Sequence, residues 1–83
     1  PNPFNPTTTI QYEIPRQERV TLEIYDVLGQ KVSTLVDGML QPGQYAAMWN
    51  GANNSGVRVA TGVYFYRLQA GSFISVKKML LLK

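Results

Sequence analysis

The chain has 83 residues, a net charge of +3, no cysteine and no histidine. That length suits one domain with a modest core, and the lack of Cys and His excludes the disulfides and the usual metal sites that staple many small scaffolds. With 45% apolar and 11% aromatic residues, stability must come from packing.

The eight basic residues are scattered, and only Lys77 and Lys78 are adjacent. A nucleic-acid footprint needs a denser patch, so no nucleic-acid partner is expected. No apolar run approaches the ~20 residues of a membrane span. No secretory leader pattern stands at the start. The opening Pro1-Asn2-Pro3, without a methionine, is expected of a piece of a longer protein cut at a linker.

Residues 1–6 hold Pro1, Pro3 and Pro6. Each proline fixes φ and pushes its predecessor toward extended geometry. This reads as a proline-rich linker, with Phe4 as its anchor onto a domain spanning 7–83. From Thr7 to Ile14, Ile10, Tyr12 and Ile14 alternate with Thr9, Gln11 and Glu13, the period of a half-buried strand. Pro15–Glu18 is a turn. Arg19–Asp26 is a second strand with Val20, Leu22 and Ile24 inside and Thr21, Glu23 and Tyr25 outside. Val27-Leu28-Gly29-Gln30 reverses the chain.

Lys31–Val36 is a third strand with Val32 inward, and the phase beyond it is open. Asp37-Gly38 and Pro42-Gly43 are expected turns, with Met39-Leu40 a short apolar plug between them. Gly43–Trp49 is a fourth strand carrying Tyr45, Ala47 and Trp49 on one face. Trp49, the largest side chain, is the expected core centre. Asn50–Gly56 is an amide-rich loop, and Val57–Ala60 is a short fifth strand.

The last third reads as a β-hairpin reversing around Ala70-Gly71. In its first arm Tyr64, Tyr66 and Leu68 share one face, and Val63, Phe65 and Arg67 the other. Arg67 is costly to bury unpaired, so the tyrosine face points inward. In the second arm Ile74 and Val76 alternate with Ser75 and Lys77. Then Met79, Leu80, Leu81 and Leu82 break the alternation. Such a strand end is either covered on both sides or open to a partner. About seven short strands with turns between them give an all-β, immunoglobulin-like antiparallel β-sandwich.

Catalysis is not expected. The commonest bases and nucleophiles are missing, and Glu13 and Glu23, which could face one another on neighbouring strands, both lie on predicted solvent faces. The Asn50–Gly56 loop offers amide oxygens but no carboxylate, a poor match to calcium. No cofactor or metal is expected. Tyr25, Trp49, Tyr64, Phe65 and Tyr66 raise a carbohydrate-stacking reading, against which stands their simpler role as core and cross-strand pairs.

Several segments also resemble a known family. They are Pro1–Pro6, Tyr25-Asp26-Val27-Leu28-Gly29-Gln30, Trp49-Asn50-Gly51, Gly56, Gly62–Leu68 and Lys77-Lys78-Met79-Leu80-Leu81. In this order they resemble the type A C-terminal sorting domain of the type IX secretion system, and the related immunoglobulin-like module of the flagellar hook-capping protein. The resemblance implies a domain carried by a larger secreted cargo in the same chain. It implies passage through the periplasm, docking to the outer-membrane translocon and its sorting machinery, and arrival outside or at the cell surface. The family's signal lies mainly in the last two strands, which maps onto Gly62, Tyr64, Lys77 and Lys78, with Met79 and Leu80 following. Two alternatives stay open: a carbohydrate-binding accessory module of a secreted glycoside hydrolase, and a structural spacer.

Overall fold

The computed structural model describes residues 7–82. The linker over residues 1–6, its Phe4 anchor and Lys83 lie outside the described residues. Six strands follow one another: β1 (Thr8–Ile14), β2 (Glu18–Tyr25), β3 (Lys31–Leu40), β4 (Gly43–Trp49), β5 (Gly62–Ala70) and β6 (Phe73–Leu81). β1 and β4 pair into a two-stranded antiparallel sheet. The other four form a sheet in the order β3-β2-β5-β6, so the molecule is an immunoglobulin-like sandwich.

The core lies between the sheets. Ile10 and Ile14 of β1, Val20, Leu22 and Ile24 of β2, and Tyr64 and Leu68 of β5 all meet there, as their period-2 spacing demands. Trp49 is 1% exposed and is the largest buried side chain. Its indole N–H donates to the Ala52 carbonyl at 2.8 Å, which satisfies the polar handle a buried indole must not leave unpaired.

Two expected elements do not form as read. Asp37-Gly38 is not a turn. β3 runs through it, with Asp37 opposite Thr21 and Gly38 opposite Val20. Pairing with β2 overrides local turn preference, and an Arg19–Asp37 ion pair spans the two strands. The irregularity falls earlier, where the register jumps between Leu22 and Glu23, and Ser33 is buried beside Val32. The expected plug is split by strand geometry: Leu40 packs against the core while Met39 is exposed.

Val57–Ala60 is likewise not a strand, so the sandwich has six strands and not seven. Its one ladder contact is an isolated bridge, Ala52 to Arg58. The backbone groups of this stretch are taken by the preceding loop: Asn53 N–H donates to the Val57 carbonyl and Val59 N–H to that of Gly51, at 2.8 and 2.9 Å. Side-chain amides complete the fold. Asn53 Oδ1 accepts from the N–H groups of Ser55 and Val57, and Asn54 Oδ1 from that of Thr34. Asn side chains compete well with sheet ladders in this way.

Candidate docking site on the terminal hairpin

β5 and β6 pair from Gly62–Leu81 to Ala70–Phe73. Gly71 and Ser72 make the reversal, one residue beyond the expected centre, and Gly71 takes φ +59°. A Cβ there would lie 2.5 Å from the Glu18 carboxylate. The left-handed backbone is what calls for glycine here, since the Glu18 side chain can swing aside.

The register sorts the candidate residues onto two sides of β6. Met79 stands opposite Tyr64, and Lys77 opposite Tyr66, on the side that faces β1 and β4. Lys78 stands opposite Phe65, and Leu80 opposite Val63, on the outer side. Polarity alone would favour Ile74 and Val76 inside. The opposite phase is adopted, and Ile74, Val76 and Leu80 are all exposed on the outer side. Leu81 decides this. It is 1% exposed and lies against Gly51. Locking Leu81 inside puts every even-numbered residue of β6 outside.

Tyr64 does not present itself to a partner. It is 7% exposed, and its ring meets Trp49 edge-on with centroids 5.0 Å apart. Its hydroxyl donates to the Ala60 carbonyl at 2.6 Å, and burial raises its pKa above the ordinary tyrosine value. Gly62 is half-buried at the start of β5. Gly62 and Tyr64 thus position the hairpin, while Lys77, Lys78 and Leu80 are open to solvent and Met79 is half-open. Trp49 and Tyr64 form no ledge on which a sugar could stack.

Among the described residues β6 has a neighbouring strand on one side only. Its free edge offers unpaired backbone N–H and C=O groups flanked by two lysines, the usual guard against indiscriminate pairing. Across the same sheet, β2 and β3 carry a charged cluster. Lys31 and Glu23 pair at 2.8 Å, and the Tyr25 hydroxyl donates to the same carboxylate at 2.8 Å. The lysine and tyrosine contacts lower the Glu23 pKa, and the carboxylate in turn raises those of Lys31 and Tyr25.

Among the described residues no cluster of acids could hold a metal ion, and no helix is long and apolar enough to cross a membrane. The amide oxygens of Asn50, Asn53 and Asn54 are spent on backbone N–H groups of the loop and of β3. That reveals a role the sequence reading left blank: this loop ties Trp49 to β3.

No curated protein matches the chain. The FlgD Ig-like domain family matches residues 5–72, which is β1 through β5 and the hairpin turn, stopping where β6 begins. That family is one of non-catalytic structural domains. The matched span covers most of the sequence and the sandwich is of the matching kind, so the chain belongs to the FlgD Ig-like domain family.

Proposed function

We propose that this sandwich is a sorting module. It directs a larger cargo in the same polypeptide across the outer membrane by docking to the type IX translocon and its associated machinery. It does no chemistry of its own, and it passes through the periplasm before reaching the outside or the cell surface.

One observation carries the reading. The tail is displayed on an edge that no described strand fills, while Leu81, helped by half-buried Met79, anchors it. Lys77, Lys78, Leu80 and Leu82 are exposed, and Leu81 between them is sealed in the core. An extended partner could pair with that edge through its backbone and read the alternate side chains. The resemblance of Gly62–Leu68 and Lys77–Leu81 to the terminal signal of type IX cargo supports the translocon as that partner.

The test must spare Leu81, because deleting the whole of β6 would remove a core side chain and confound docking with unfolding. Residues 1–83 are fused to a reporter in a host that has the system. The fusion should be exported, and Lys78→Glu with Leu80→Ser should abolish export while the purified domain keeps its melting temperature. Export of the double variant at the parent level would overturn the proposal.

A further inference from the structure

The small sheet covers the large one incompletely. Among the described residues β1 is hydrogen-bonded to β4 alone and β6 to β5 alone, so each has an edge that no described strand fills. Both edges border one groove on the same flank of the sandwich, between Tyr12 and Glu13 of β1 and Tyr66, Phe73, Ser75 and Lys77 of the hairpin. Through Glu13, Leu68 and Phe73 the groove continues into a cavity of about 550 Å³ floored by Ile14, Leu68 and Ala70. Phe73 stands opposite Ala70 on the core side of β6, yet is 60% exposed. The Phe73–Lys77 end of the core side of β6 therefore has a floor but no roof among the described residues, whereas Leu81 at the other end is covered. A strand laid beside β1, ~4.8 Å away in the plane of the small sheet, would lie ~10 Å above β6 and supply that roof.

We propose that this groove binds an extended segment of another polypeptide as a third strand of the small sheet, hydrogen-bonded to the free edge of β1 and antiparallel to it. The side chains along β6 define what the segment carries. Phe73, Ser75 and Lys77 share one face at strand spacing, so they meet residues i, i+2 and i+4 of the added strand. Phe73, with Ile14 and Leu68 beside it, takes a large aliphatic residue. Ser75 takes a smaller one. Lys77 has no carboxylate within ion-pair distance among the described residues, so it takes an acid. β1 runs from the Lys77 end of the groove to the Phe73 end, which sets the order in the incoming strand as aliphatic, aliphatic, acid from its N-terminus.

A second copy of this chain fits poorly. Its own free strand β6 would bring Lys77 and Lys78 against Lys77, and like charges facing each other across strands destabilise the pairing. Lys77 belongs to both surfaces, but the two proposals are told apart experimentally, since the sorting role is tested at Lys78 and Leu80 on the other side of β6.

The probe is the peptide Ac-Thr-Leu-Thr-Val-Thr-Glu-Thr-NH2, titrated into the isotopically labelled 83-residue chain and followed by amide NMR. Saturable shifts are expected in Gln11–Ile14 and Phe73–Lys77, with slowed solvent exchange along β1. Lys77→Glu should weaken binding about tenfold, and a peptide with Lys in place of Glu should reverse that preference. Phe73→Ser, at an exposed position, should also weaken binding without lowering the melting temperature. N-methylating alternate peptide nitrogens should abolish binding, because it removes the backbone donors. The proposal is overturned if no saturable shift appears at millimolar peptide, or if the N-methylated peptide binds equally well. It is also overturned if the shifts fall on the outer face around Ile74 and Leu80, or if the chain dimerises through the groove and the peptide cannot displace the partner copy.

Discussion

Trp49 and Tyr64 show how much of this small core rests on single polar atoms. Each buries a ring, and each sends its one donor to a loop carbonyl, Trp49 to Ala52 and Tyr64 to Ala60. The rings thereby fasten the stretch between β4 and β5, which has almost no ladder of its own. Tyr64→Phe keeps the ring contact and loses the hydroxyl, so it should cost about 1 kcal/mol in chemical denaturation. Tyr64→Ala should cost about 3–5 kcal/mol, since a cavity opens against Trp49. Asn53 is the comparable device outside the core. Its Oδ1 holds two N–H groups, and Asn53→Ala should cost about 1–2 kcal/mol and raise amide exchange at Ser55 and Val57. Periodicity picked out Trp49 and the inward Tyr64. It could not show where their donors go, because Ala52 and Ala60 carry no side-chain signal, and the acceptors are carbonyls placed by the fold.

Among the elements, β6 differs most from its sequence pattern. Ile74 and Val76 would be inside if polarity acted alone, yet a single well-packed Leu81 sets the phase of the whole strand. Leu81→Ala should therefore lower stability by about 2–5 kcal/mol, while Leu80→Ala, one residue away, should change it by less than about 0.5 kcal/mol. A pair of melting curves separates the two. The outer face of β2 and β3 supplies a pH signature. Glu23 has a lowered pKa, chiefly from its hydrogen bond with Lys31. Its stabilisation is present above the ordinary carboxylate value and is lost as pH falls through the lowered one. Lys31 and Tyr25 are raised, each chiefly through its hydrogen bond with Glu23. Their contributions are present below the ordinary values and fade as pH rises past about 10. Melting temperature against pH should thus fall at both extremes, and Glu23→Gln should flatten both limbs.

At the scale of the whole molecule, two sheets of unequal width leave one flank open, and that asymmetry is where both proposed docking surfaces arise. All six strands, though not the full length of β3, and the core faces of β1, β2, β4 and β5 were legible in the sequence. Alternating apolar residues can be buried in only one way once a strand forms, and Gly29 at φ +79° and Gly71 at φ +59° sit at reversals the sequence marked. The membership of strands in sheets was not legible. β1 pairs with β4, across β2 and β3, and nothing local to either strand encodes a partner some thirty residues away. The Asp37-Gly38 pair and the Val57–Ala60 segment were misjudged for the same reason. Their hydrogen-bonding fate was settled by partners outside the segment, Thr21 and Val20 on distant β2 for the first and the adjoining Asn53 loop for the second. So the chain's own pattern determined an all-β molecule, its inward residues and its turns. Only the tertiary structure decided which edges stay unpaired and which side of β6 faces out, because an edge is free or filled according to what the rest of the chain brings beside it.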